Sequence, residues 1–232
     1  MRRPGALFVL ALLGCASAPQ MDIAPATTQE AAGLVDIRTL VPDIALDMRY
    51  AGRDNFTGAP VDGYGAPRCW LLAPAARAIE RVENDLRTQG YRLRIFDCYR
   101  PARAVRAFVA WANNADETTK SRYYPALDKR ALLGGYISPT SGHSRGATID
   151  LTLMRCDAAG GCEALDMGTG FDFFDPSANT DSPRATAEQR ANRDRLRDAM
   201  QRGGLRNYPM EWWHFTLDPE PAPKTFFDVP IE

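Results

Sequence analysis

The sequence predicts a single α+β domain. Three observations carry this expectation. A length of 232 residues suits one hydrophobic core, at ~100–200 residues per domain. Hydrophobic content of 45% and charged content of 25% are those of an ordinary globular chain, which excludes wholesale disorder, collagen and a multi-span membrane protein. Helical stripes and strand-like alternation both occur, but not in the strict succession that a doubly wound sheet requires. No internal repeat is present.

Taken in order, residues 35–50 carry short alternating apolar runs, consistent with one or two opening strands. Residues 54–68 hold Gly58, Pro60, Gly63, Gly65 and Pro67 and read as turns. A helix is expected over 74–89: Pro74 suits its first turn, Ala78, Ile79, Val82 and Leu86 form one stripe, and Gly90 stops it. Tyr91 to Tyr99 alternates as a strand does. Pro101 opens a second helix with Val105, Phe108, Val109 and Trp111 apolar. Residues 113–140 mix loop and short helix, 147–154 is rich in β-formers, and 166–184 is loop-like. A third helix spans 185–203, ended by Gly203-Gly204, and 211–217 is a final strand.

The N-terminus stands apart. Arg2 and Arg3 precede an apolar run, Ala6 to Leu13, that is too short to span a bilayer. Leu12-Leu13-Gly14-Cys15 then resembles the bacterial lipoprotein signal, in which the cysteine receives a lipid and becomes the first mature residue. A plain secretory signal ending near Ala18 is the alternative, and both export the chain. The expected organisation is a signal peptide over 1–14, a flexible tether over 15–33, and the folded domain over 34–232. The expected location is the periplasm, with a membrane anchor at Cys15. Net charge is −1, so no basic field is available to hold nucleic acid. The 25 arginines against 3 lysines read as codon bias. The sequence does not fix the oligomeric state.

Four cysteines remain, and an even number in an exported chain suggests disulfides. Cys156 and Cys162 flank the turn signal Gly160-Gly161, where a bridge would clip a hairpin. Cys69 and Cys98 pair by elimination, which would stabilise by roughly 3–4 kcal/mol on the chain-entropy estimate. A four-cysteine zinc site is the rival, disfavoured because no close C-x-x-C pair is present.

The two histidines, His143 and His214, each sit in a polar cluster beside a carboxylate: SGHSRGATID (141–150) and EWWHF (211–215). His143, Asp150 and His214 form a His₂-carboxylate set of the kind that catalytic zinc takes, with a position left for water. Seven residues of straight strand would separate 143 from 150 by ~23 Å, and seven of helix by ~10 Å. The chain must therefore fold back between them, and Gly142 and Gly146 permit such a turn. Glu211 suits a general base. Residues three apart on a strand face opposite ways. Glu211 and His214 thus meet one ion only if the strand begins after Glu211 or carries a bulge. Gly142 to Gly146 also fits G-x-S-x-G, the nucleophile elbow around Ser144. That motif needs a strand before it and a helix after it. Here Pro139 interrupts the upstream segment, and the downstream segment is β-rich.

Four strings, DNFTGAPVDGY (54–64), YRPARAV (99–105), SGHSRGATIDLTL (141–153) and EWWHF (211–215), together resemble the zinc D-alanyl-D-alanine dipeptidases known from vancomycin resistance. The likeness runs from about Val35 to Pro230. It implies an antiparallel sheet with flanking helices, shared with zinc D,D-carboxypeptidases and the hedgehog signalling domain. It implies one Zn²⁺ per chain on His143, Asp150 and His214, with Glu211 as base and Arg100 on the oxyanion. Asp172 and Tyr50 would lie near the substrate ammonium and Ser141 near its carboxylate, with Asp97 behind them as a partner of Arg100. Arg cannot lose its charge, which independently suits an oxyanion donor. Two positions depart from the typical pattern, Gly142 in place of serine and Cys98 in place of glycine. The expected activity is hydrolysis of D-Ala-D-Ala in wall-peptide turnover. A D,D-carboxypeptidase or wall endopeptidase on the same scaffold is the rival, and a metal-stabilised wall-binding lipoprotein without turnover is another.

Overall fold

The computed structural model describes residues 22–232. The signal peptide and Cys15 lie outside the described residues. The elements in order are β1 (Leu34–Asp36), β2 (Ala45–Leu46), β3 (Trp70–Leu72), α1 (Ala73–Thr88), β4 (Tyr91–Asp97), α2 (Ala102–Asn113), α3 (Lys120–Tyr123), β5 (Thr148–Cys156), β6 (Cys162–Ala164), α4 (Ala187–Arg202), β7 (Leu205–Asn207) and β8 (His214–Leu217). The α+β class stands, and the three long helices fall within two residues of the expected bounds.

The main sheet runs β2-β4-β5-β8-β7, with β6 added to the far end of β5. It is antiparallel except that β2 lies parallel to β4. β1 and β3 form a separate antiparallel pair. Residues 148–154 of β5 are all buried, as befits a central strand covered on both faces. Ala75, Ala78, Ile79, Val82 and Leu86 of α1 supply the stripe that packs on β4, and α4 lies beside α1. α4 begins with a reciprocal capping box, Thr186 with Gln189.

Both bridges form. Cys156–Cys162 closes the β5–β6 hairpin, and Cys69–Cys98 ties the approach to β3 to the exit of β4.

The tether expectation needs correction over residues 22–33. Ile23 pairs with Phe226, the Ala24 amide donates to Phe226 O (2.8 Å), and Gln29 Nε2 donates to Pro230 O (2.6 Å). The small, polar composition hides this, because the C-terminal segment supplies the partners. The last strand also starts at His214 rather than Glu211, and β7 had no periodic signal in its three residues.

Candidate active site

The sheet register assembles the site. Asp97 on β4 lies opposite Asp150 on β5, and Asp150 lies opposite His214 on β8. Directly opposed residues carry Cβ atoms ~4.5–5.5 Å apart, so three polar side chains are brought side by side across three strands. A register shift between Ile95 and Asp97 accompanies this at the β4 end. His143 arrives from a single 3₁₀ turn, Gly142–Arg145, whose left-handed exit at Gly146 (φ 74°) folds the chain back into β5. This is the reversal that the 143–150 spacing demands. A Cβ on Gly146 would lie 2.9 Å from Leu34 Cδ2, so the close packing also requires glycine.

Glu211 precedes β8 in a turn, with the His214 amide donating back to Glu211 O (3.3 Å). The first of the two conditions for Glu211 and His214 to converge is therefore met. Glu211 Oε2 stands 3.4 Å from His214 Nδ1.

His143 Nε2 lies 3.2 Å from Asp150 Oδ2 and 3.3 Å from His214 Nδ1, and His214 Nδ1 lies 3.0 Å from Asp150 Oδ1. Ligand atoms at ~2.0–2.2 Å around a tetrahedral ion are separated by such distances. Asp150 Oδ1 is buried yet makes no hydrogen bond. His143 Nδ1 is 2.7 Å from Cys98 O; a carbonyl accepts only, so Nδ1 carries the proton and Nε2 offers its lone pair inward. The orphaned oxygen, the oriented imidazole and the three-atom spacing fit a divalent ion.

Charge supports this. Asp97, Asp150, Asp172 and Glu211 are buried around one partly buried cation, Arg100. Burial raises Glu211 to about 7, opposed by His214. Burial and Asp150 raise Asp172 well above the carboxylate range, although Tyr50 OH donates to its Oδ2 (2.8 Å). For Asp150 burial is outweighed by His143 and His214, which lower it. Burial lowers His143; for His214 the Asp150 carboxylate overcomes burial and raises it.

Arg100 is anchored on Asp97, with Nε at 3.0 Å and a terminal nitrogen at 2.8 Å from Oδ2. Its guanidinium carbon lies 5.1 Å from the Tyr50 ring centroid and 4.9 Å from that of Phe108. Tyr64 OH donates to the other oxygen of Asp97 (2.7 Å). Tyr64 had no assigned role, although it closes the 54–64 string. Ser141 lines the cleft while its Oγ accepts the His143 amide (3.3 Å). Asp172 takes a left-handed backbone conformation (φ 58°) uncommon for a non-glycine residue.

These groups border one cleft of about 220 Å³ that includes Tyr50, Arg100, Ser141, His143, Asp150, Asp172, Glu211 and His214. Gly134 to Ser138 and Tyr208 complete its rim; they lie in aperiodic segments with no sequence signal. Ser144 is buried, outside the cleft, and followed by a strand, so the nucleophile elbow does not exist here.

The family described as D-ala-D-ala dipeptidase matches residues 30–232. Proteins named D-alanyl-D-alanine dipeptidase are similar over most of the chain. The one from Enterococcus faecium is 39% identical over 86% of this chain and 98% of its own. The Streptomyces coelicolor protein is 41% identical over 83% and 95%, and the Escherichia coli protein 33% identical over 79% and 84%.

Proposed function

The chain belongs to the D-alanyl-D-alanine dipeptidase family, and from that premise we propose that it hydrolyses D-Ala-D-Ala, or a close D,D-dipeptide, with one Zn²⁺ per chain. The observation that carries the reading is the meeting of three ligand atoms with Glu211 and Arg100 in a single cleft. Zn²⁺ on His143, Asp150 and His214 supplies Lewis acidity toward water and the peptide carbonyl.

The protein groups do the rest. Glu211 takes the proton of the attacking water and passes it to the leaving amine as the C–N bond breaks. Arg100, fixed on Asp97, presents a permanent positive charge to the oxyanion of the tetrahedral intermediate. Asp172, oriented by Tyr50, receives the substrate ammonium, and Ser141 lies toward the carboxylate. An acylated N-terminus would leave Asp172 buried without its cation, which is costly and restricts the substrate to a dipeptide.

A carboxypeptidase or endopeptidase on this scaffold would need no such enclosed acid. A binding lipoprotein would need no Glu211. Purified, zinc-loaded protein is expected to release D-alanine from D-Ala-D-Ala and not from a wall pentapeptide. Release from the pentapeptide alone would overturn the dipeptidase reading, and release from neither would favour the binding module.

The sequence supports a periplasmic lipoprotein anchored through Cys15. Labelling with radioactive palmitate is expected in the wild type and not in Cys15→Ser; equal labelling would remove the anchor. With export, the role would be turnover of wall-derived dipeptide rather than resistance.

A further inference from the structure

Arg193 is a buried guanidinium with no assigned role. It projects from α4, is 1% exposed, and forms no ion pair among the described residues. The neighbouring acid, Asp166, is engaged by Gln189 Nε2 (2.9 Å) and the Gly168 amide (2.8 Å). A buried charge without a counter-charge is costly unless its donors are met. Here they are met entirely by main chain. Nε donates to Met167 O (2.8 Å), one terminal nitrogen to Asn179 O (2.6 Å), and the other to Ser177 O (3.0 Å) and again to Met167 O.

These three carbonyls bracket Asp172. The segment between them contains one short 3₁₀ turn and no strand, and its internal hydrogen bonds all fall within 173–179, so 167–172, which carries Asp172, has none of its own to hold its shape. It nonetheless keeps Asp172 at φ 58° with its carboxylate on Tyr50 OH. Gly168 (φ +84°) permits the contact, since a Cβ there would lie 3.2 Å from an Arg193 terminal nitrogen and 2.8 Å from Gln189 Oε1.

We propose that Arg193 is a positioning residue for the ammonium subsite: it staples both ends of the 167–179 loop and so sets where Asp172 meets the substrate amine. The inference rests on the reading of Asp172 as the ammonium partner. Only a planar fork of fixed donors reaches three carbonyls at once; lysine carries a point charge and glutamine fewer donors.

The test uses the zinc-loaded full domain and two substrates, D-Ala-D-Ala and propionyl-D-alanine, which lacks the amine. The ratio of their kcat/KM values reports the subsite and is unaffected by the fraction of folded protein. Asp172→Asn should lower that ratio, and Arg193→Lys and Arg193→Gln should lower it about tenfold. The D-Ala-D-Ala loss should fall mainly in KM, with the double variant Asp172→Asn/Arg193→Lys no worse in ratio than Asp172→Asn alone. An unchanged ratio in both Arg193 variants, with Asp172→Asn effective, would overturn the staple while sparing the ammonium reading. An unchanged ratio in Asp172→Asn would overturn the ammonium reading and the staple's purpose with it.

Discussion

At the scale of single residues, the site divides into groups that bind a proton and groups that keep one off. Glu211 is raised to about 7 by burial, and His214 is raised by Asp150 despite its burial. His214 therefore favours a proton that a divalent ion must displace, whereas Glu211, which is not a ligand, keeps its proton as an acid–base group. Metal affinity is expected to rise with pH through the His214 titration, with protons released on binding. Titration of the metal-free protein with Zn²⁺ in two buffers of different ionisation enthalpy checks this; no proton release would contradict the assignment. Glu211→Gln is not a ligand change in this scheme. It should keep the metal and lose about 10²–10⁴-fold in kcat. Near-normal turnover would remove Glu211 as the base. Much of this was legible in the sequence, because two histidines each beside a carboxylate are rare enough to stand out. Arg193 was not legible: one arginine among 25 carries no mark until burial and partners are known.

At the scale of elements, long periodic segments could be read and short ones could not. α1, α2 and α4 announce themselves by stripe and cap, whereas β2 and β7 exist only because β4 and β8 offer them an edge. The Cys69–Cys98 bridge connects these levels. It fixes the exit of β4, where Cys98 O accepts His143 Nδ1–H and Asp97 holds Arg100. Its double replacement, Cys69→Ser with Cys98→Ser, is expected to cost about 3–4 kcal/mol in denaturant unfolding. It should also weaken metal binding by about tenfold, as loss of an outer orienting contact does. Chelator competition measures the second effect, and unchanged affinity would confine the bridge to stability. Gly146→Ala attacks the same region through the turn. A left-handed residue and the Leu34 contact together predict a loss of about 1–3 kcal/mol.

At the scale of the whole molecule, the C-terminal segment joins parts that sequence distance keeps separate. Phe227 N donates to Ser144 O (2.8 Å) in the His143 turn, and the Ala102 amide of α2 donates to Phe227 O (3.0 Å). Ile231 N reaches Gly63 O (2.8 Å), and Phe226 receives the N-terminal residues. This aperiodic stretch, with buried Phe227, Val229 and Ile231, explains why residues 22–33 are held against the fold although they precede the expected boundary. Asp228 is its polar anchor: Oδ1 accepts the Arg103 amide (2.7 Å) and Nε (3.0 Å), and Oδ2 accepts Arg106 (3.0 Å), placing a carboxylate at the start of α2. Partial burial opposes its ionisation, but the Arg103 and Arg106 contacts prevail and hold its pKa below the ordinary value. A lowered folded-state pKa stabilises above the unfolded value of ~3.9 and ceases to do so as pH falls through the folded one. Asp228→Asn should therefore reduce stability by about 1 kcal/mol at pH 7, the partly exposed arginines limiting the effect. That corresponds to a Tm roughly 2–4 °C lower, and the gap to wild type should close as pH is lowered below 4. A gap that persists unchanged in acid would show that packing of the tail, and not the charge of Asp228, fastens it to α2.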